Sequence, residues 1–175
     1  QLTAKLQETG FNRIATKIVA QTGWTTDELS AAIQKQNIAE TFNLVTLLIG
    51  VNNQYRGRDA EEYRIELQDL LKTSISFAGG NPKNVIVLSI PDYGVTPFAK
   101  TRDPENIAKK IDLYNQIKKE ESQKAGAIFI DITEISRRAK SNSTLIAADG
   151  LHPSAEMYKL WVDEIFPKAK IILEN

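Results

Sequence analysis

The chain has 175 residues, a length that suits one domain with a sizeable buried core. Hydrophobic residues make up 42% and charged residues 25%, as in an ordinary soluble globular protein. The 22 basic residues balance the 22 acidic ones, so no net charge attracts phosphate backbones or anionic membranes. We therefore expect no nucleic-acid partner.

The residue counts exclude several kinds of site. Cysteine is absent, which excludes disulfides, a thiol nucleophile and thiolate metal sites, and a single histidine excludes a multi-histidine metal centre. We expect neither a metal nor another cofactor. The longest apolar run, residues 44–49, is too short to span a membrane. The sequence does not distinguish a cytoplasmic location from a secreted or periplasmic one.

The first third of the chain predicts two helices and two strands. Residues 1–9 have the pattern of the end of a helix, and residues 12–20 mix apolar and polar residues as a strand does. Thr25 and Glu28 have capping-box spacing, which predicts a helix from there to about residue 36. Residues 42–49 form a nearly continuous apolar run, typical of a strand covered on both faces.

The rest of the chain also alternates between predicted strands and predicted helices. The predicted elements are a helix after Asp59, a buried strand at 85–90, a long loop at 91–103, a helix from Asp103, a buried strand at 127–130, a short helix or turn at 132–139, and a last helix that Ser154 caps. Such alternation predicts an α/β fold, with a parallel sheet between two layers of helices. Ligand sites in these sheets lie beyond the carboxyl ends of the strands.

Asp149-Gly150-Leu151-His152 lies in the loop before the last helix and contains the only histidine. A carboxylate that orients an imidazole is the core of serine-type acyl transfer. A lone histidine near a helix start is more often a surface or packing residue, so the motif alone does not establish that His152 is catalytic. Two further stretches, at Gly23 and at Gly50-Val51-Asn52, lie after predicted strands and would reach the same edge of the sheet.

With Gly23, Gly50-x-Asn52 and Asp149-x-x-His152 in this order, the chain resembles the SGNH (GDSL-type) hydrolases over nearly its whole length. That family contains esterases, lipases and acylhydrolases on a three-layer α/β/α, flavodoxin-like fold. The resemblance implies that residues 1–175 form a single SGNH-hydrolase-like domain acting on a small-molecule ester. His152 would be the general base and acid, oriented by Asp149, and Gly23 and Asn52 would form the oxyanion hole.

The chain departs from the family pattern at two places. Asn53 stands where the family usually has Asp, so a charged contact behind the site would become a neutral hydrogen bond. The Gly-Asp-Ser block that carries the nucleophile is absent, and in the family it follows the first, central strand. In strand order 2-1-3-4-5 the loss of that strand leaves its two neighbours unpaired, so we expect the domain to be incomplete at its N-terminus.

None of the nine serines within the chain has a nucleophile motif around it. Ser89, near the end of a predicted strand, is the least unsuitable substitute for the missing nucleophile. The expected activity is therefore that of a serine esterase whose nucleophile precedes residue 1, and the chain alone is expected to be inactive.

Loop residues beside the predicted site are candidates for the walls of a substrate pocket: Tyr55, Arg56, Tyr93 and Phe98. They could equally be ordinary solvent-facing residues. A non-catalytic module that binds carbohydrate or acyl groups on the same scaffold remains the alternative function. A nucleotide or phosphate binder is disfavoured, because Gly79-Gly80 ends a helix and does not begin one.

Overall fold

The computed structural model describes residues 1–174. It contains three parallel strands and seven α-helices, and most lie close to the predicted positions. The strands are β1 (Val45–Leu47), β2 (Val85–Leu88) and β3 (Ile128–Ile130). The helices are α1 (Leu2–Glu8), α2 (Thr26–Gln36), α3 (Val51–Tyr55), α4 (Ala60–Phe77), α5 (Pro104–Lys124), α6 (Thr133–Arg137) and α7 (Ala155–Glu174).

The three strands form one sheet in the order β1-β2-β3. Val45 pairs with Val85 across the first interface, and Leu88 pairs with Ile130 across the second. This order matches strands 3, 4 and 5 of the expected flavodoxin-like series. All three strands are parallel, so the loops that follow them leave the sheet at the same edge.

Strand β2 separates two hydrophobic cores. Val85 and Val87 pack in one core with apolar residues of α4 and α5, and Ile86 and Leu88 pack in the other with residues of α6 and α7. Successive side chains of a strand point to opposite faces, so four consecutive apolar residues fill both layers. The predicted three-layer α/β/α architecture is confirmed.

The helix starts follow local hydrogen-bonding chemistry that the sequence predicted. Thr25 and Glu28 form a capping box at α2, and Asp59 accepts the backbone N–H groups of Glu61 and Glu62 at α4. Ser154 Oγ accepts the N–H of Met157, 3.2 Å away, at the start of α7. Within residues 1–174, none of the helices combines the length and apolar character that crossing a bilayer requires.

The predicted strand at residues 12–20 is wrong, because the segment has no regular secondary structure and Ile18 is 77% exposed. A strand requires hydrogen bonds to a neighbouring strand, and the described residues provide none beside this segment.

The predicted strand at 42–49 is shorter than expected, and only one of its faces is covered. Leu47 is buried, whereas Thr46 and Leu48 are exposed. Strand β3, also predicted as buried, lies at the other sheet edge and is only partly buried.

A fully buried lysine joins the carboxyl ends of two strands. Lys118 Nζ, on α5, donates to the backbone oxygen of Ile49, just after β1, at 2.5 Å and to that of Leu88 in β2 at 2.9 Å. Burial lowers the pKa of Lys118 to about 7, because a charged ammonium loses its hydration there. The lysine therefore fixes the backbone that leads into Gly50.

Gly50 leaves no room for a side chain. It has φ +113°, and a Cβ there would lie 2.7 Å from Cε2 of Tyr63. The Tyr63 ring stacks on Tyr114 at 4.6 Å, and the Tyr114 hydroxyl donates to the Arg58 backbone at 2.6 Å. The ring consequently has no room to withdraw, and only glycine fits at position 50.

We predict that Gly50→Ala lowers the free energy of unfolding by about 2–4 kcal/mol, the sum of overpacking and left-handed backbone strain. Gly79→Ala is the matched control. Gly79 also has positive φ, but nothing lies within 4 Å of its Cβ position, so a loss of about 1 kcal/mol is expected. Urea denaturation measures both variants, and equal losses would show that the contact with Tyr63 is unimportant.

A second prediction concerns Lys118. Its pKa is about 7 in the folded protein and about 10.4 in an unfolded chain, so the unfolded state binds more protons between these values. The stability of the wild-type protein should therefore rise, relative to Lys118→Met, as the pH is raised from 7 to 10. Urea unfolding at several pH values measures the difference. Lys119→Met, at an exposed neighbouring lysine, is the control and should show no such trend.

Candidate active site

Asp149 and His152 form a hydrogen-bonded pair in the loop before α7. One carboxylate oxygen of Asp149 accepts the backbone N–H groups of Leu151 and His152, each at 2.9 Å, and the other lies 2.6 Å from His152 Nδ1. These bonds lower the pKa of Asp149 to about 2, the two backbone N–H groups contributing most. The carboxylate therefore stays ionised and favours the tautomer in which Nδ1 carries the proton and Nε2 can accept one.

Backbone contacts hold the loop that carries this pair. The Ala147 N–H donates to the His152 carbonyl at 2.7 Å, and Ile146 forms an antiparallel bridge with Pro153. The His152 side chain remains 53% exposed. Among residues 1–174, no group hydrogen-bonds to Nε2, so this nitrogen is available to an external reactant.

The Gly23 turn and the amino end of α3 meet through side-chain hydrogen bonds. Asn52 Nδ2 donates to the Trp24 carbonyl at 3.0 Å, and Arg56 Nη2 donates to the Gly23 carbonyl at 2.7 Å. Gly23 has φ +90°, which favours glycine. Its N–H has no hydrogen-bond partner in the described part of the chain, and one N–H of the Asn52 amide is also unused. Two neutral donors are therefore available at this turn.

Asn53 lies in the core behind the turn and does not line a pocket. Its Oδ1 accepts the Thr26 N–H at 3.1 Å, its Nδ2 donates to Thr26 Oγ1 at 2.5 Å, and Glu66 Oε2 is 3.4 Å from Nδ2. An Asp at this position would bring a second carboxylate next to Glu66, at a repulsive cost. The contact is thus a neutral hydrogen-bond pair, which anchors the start of α2.

The predicted pocket-wall residues separate into two groups. Tyr55, Tyr93 and Phe98 form one aromatic cluster, with ring centroids of Tyr55 5.8 Å from Tyr93 and 6.0 Å from Phe98. Arg56 is instead engaged with the Gly23 carbonyl and with Glu28 Oε1 at 3.1 Å. Its contacts join the Gly23 turn to α2, so we assign it a positioning role.

The aromatic cluster connects the Asn52 side of the rim to the His152 loop. Tyr55 follows Asn52 on α3, and its ring contacts Phe98, whose N–H donates to the Gly150 carbonyl at 3.1 Å. Gly150 lies between Asp149 and His152. The loops after β1 and β2 and the loop before α7 are therefore linked by direct contacts.

Ser89 is not placed to act on a substrate. It is fully buried, and its hydroxyl contacts Asp131 Oδ1, the Ile132 N–H and Thr133 Oγ1 at 2.7–2.8 Å. This network ties the carboxyl end of β2 to the start of α6. Its partners satisfy the hydroxyl, and its burial keeps it away from a substrate in solution.

Sequence reasoning missed three residues around the site: Trp24, Arg102 and Lys118. Arg102 lies beyond the short helical turn of Phe98, so no helical spacing pointed to its contact with that ring. Trp24 contributes a backbone carbonyl, and a buried lysine is rare enough that pattern reasoning assigns it to the surface. Neither could be found without the fold.

Several solved structures share this fold. The lipase/acylhydrolase from Enterococcus faecalis matches with TM-score 0.74 and 21% identity, over 97% of this chain and 82% of that one. The esterase EstA from Pseudoalteromonas matches with TM-score 0.67 and 18% identity, over 99% and 86%. The acetylxylan esterase from Geobacillus stearothermophilus matches with TM-score 0.71 and 18% identity, over 96% and 78%.

A comparison with curated proteins gave no match. The family of GDSL-like lipases and acylhydrolases matches residues 1–160, which include Gly23, Asn52, Asp149 and His152. The resemblance drawn from those residues is confirmed at the level of the family. The chain belongs to the GDSL-like lipase/acylhydrolase family.

Proposed function

We propose that this chain carries the base and the oxyanion donors of a serine esterase that hydrolyses small-molecule carboxylic esters. The observation that carries the proposal is the Asp149–His152 pair. Its carboxylate is held by two backbone N–H groups, and its imidazole presents an unoccupied, exposed Nε2. An ionised carboxylate on Nδ1 stabilises the imidazolium that forms when Nε2 takes a proton.

The reaction follows from these positions. A serine hydroxyl transfers its proton to His152 Nε2 as its oxygen attacks the ester carbonyl. The Gly23 N–H and the Asn52 amide stabilise the developing oxyanion. His152 then returns the proton to the departing alcohol, and a water molecule repeats the sequence to release the acid.

We infer that the serine lies upstream of residue 1, directly after a strand that pairs with the open edge of β1. Among the described residues no strand covers that edge, Thr46 and Leu48 are exposed, and the buried Tyr63 hydroxyl has no hydrogen-bond partner. A strand there would pair the open backbone groups of β1. Residues 1–175 would then be one SGNH-type domain without its first strand, and inactive alone.

The comparisons support an ester as substrate without identifying it. The matched family is one of lipases and acylhydrolases, and two of the solved neighbours are named as esterases. EstA was solved inhibited by monoethylphosphonate. Phosphonates of that kind are therefore suitable probes for a nucleophile in this protein.

We predict that a fluorophosphonate labels one serine of the longer protein, upstream of Gln1, and that His152→Ala prevents the labelling. The variant should lower kcat for p-nitrophenyl ester hydrolysis on the order of 10⁶-fold, because no base remains. Asn52→Ala should lower kcat about 10²- to 10³-fold, the effect of one lost oxyanion donor. Peptide mass analysis identifies the labelled serine.

Glu156→Gln is the control, because it neutralises an exposed carboxylate four residues from His152 that takes no part in the pair. It should leave labelling and turnover unchanged. Labelling of Ser89, or no labelled serine, would contradict the proposal. A protein that binds esters or sugars equally well with and without His152, and hydrolyses neither, would be the binding module instead.

A further inference from the structure

An aromatic cluster is exposed at the rim of the candidate active site. Tyr55 is 43% exposed and Phe98 39%, whereas Tyr93 beneath them is 8% exposed. The Tyr55 and Tyr93 rings meet edge to face, which fixes Tyr55 from below. Exposed aromatic rings that are grouped beside a site, and not scattered singly, indicate a binding surface.

Arg102 lies against the two exposed rings. Its guanidinium carbon is 4.8 Å from the Phe98 ring centroid and 5.1 Å from that of Tyr55, and its Nη2 donates to the Tyr55 hydroxyl at 3.2 Å. These distances are within cation–π range. The two rings and the hydroxyl hold a long side chain that would otherwise be mobile.

Arg102 has no acidic partner within residues 1–174. Four other arginines each form an ion pair with a carboxylate: Arg56, Arg58, Arg64 and Arg137. The nearest acid in sequence, Asp103, uses its carboxylate to cap α5 by accepting the Asn106 N–H. The guanidinium is therefore an exposed, uncompensated positive charge in a fixed orientation.

The position of this cation relates it to the reaction. Phe98 is hydrogen-bonded through its N–H to Gly150, within the Asp149–His152 loop, and Tyr55 lies on the same short helix as Asn52. The rings that hold Arg102 are therefore attached to both sides of the candidate site. In an ester that extended from His152 over Tyr55 and Phe98, a charged group at the far end would meet Arg102.

We propose that Arg102, held on Tyr55 and Phe98, is a specificity subsite for a carboxylate on the ester substrate. The inference rests on the proposed esterase function for the reaction itself. The rings contact the guanidinium, and Tyr55 uses one N–H, so further N–H groups remain for the two oxygens of a carboxylate. The side chain is already ordered, so binding costs less conformational entropy than at a free arginine.

The test compares esters that differ only in charge, hydrolysed by the longer protein. One pair carries the charge on the acyl group: mono-4-nitrophenyl adipate and its neutral isostere, 4-nitrophenyl 6-methylheptanoate. The second pair carries it on the alcohol: 4-carboxyphenyl acetate and 4-carbamoylphenyl acetate. In at least one pair, kcat/KM for the anionic ester should exceed that for the neutral ester by about tenfold or more.

Arg102→Gln should abolish this preference, mainly by raising KM for the anionic ester. Added NaCl should also reduce the preference of the wild-type protein for the anionic ester, because salt screens an exposed charge. Arg138→Gln removes another exposed arginine, from a different element, and should leave the ratio unchanged. An Arg102→Gln variant that loses activity equally on charged and neutral esters would overturn the proposal, because Arg102 would then only support the rings.

Calorimetric titration with adipate and with neutral adipamide separates this proposal from the proposed function, because binding needs no nucleophile. Adipate binding that depends on Arg102, without hydrolysis of any ester, would support the subsite and contradict the esterase. Hydrolysis without charge preference in either pair would support the esterase and overturn the subsite.

Discussion

Strand β2 is the constraint on which the rest of the structure depends. All four of its residues are buried, two against α4 and α5 and two against α6 and α7, so the strand fixes both helical layers at once. Its pairing with β1 and β3 is parallel, which brings the loops after the strands to one edge. Lys118 then binds backbone oxygens at the ends of β1 and β2 from inside the protein, which sets where Gly50 and α3 begin.

The candidate site is assembled at that edge by polar contacts between loops. Asn52 and Arg56 bind the backbone of the Gly23 turn, and Asn53 binds the start of α2 behind it. On the other side, Phe98 binds the loop of His152 through Gly150. Each of these residues performs a positioning task with neutral or paired groups, whereas the imidazole Nε2, the Gly23 N–H, one N–H of Asn52 and the Arg102 guanidinium keep hydrogen-bonding capacity for a ligand.

Charge distribution divides the rim by role. The donors proposed for the oxyanion are neutral, so they do not perturb the imidazole, whereas Asp149 is kept ionised by its backbone hydrogen bonds. Arg102, which has no acidic partner within residues 1–174, lies instead on the exposed rings of Tyr55 and Phe98. The proposed subsite would thus recognise a charged substrate through a residue that is not part of the Asp149–His152 pair.

The sequence by itself determined the helix starts at Thr25, Asp59 and Ser154, the three strands of the sheet and the Asp149–His152 motif, because capping chemistry, apolar runs and short-range spacing are local properties of the chain. It failed at residues 12–20, where a strand pattern has no neighbouring strand with which to pair. Only the tertiary structure decided that Lys118 is buried, that Ser89 is sealed inside a hydrogen-bond network, and that Arg102 rests on Tyr55 and Phe98. Most of those contacts join residues far apart in the chain, and their energies depend on burial and neighbouring charges that the folded chain alone creates.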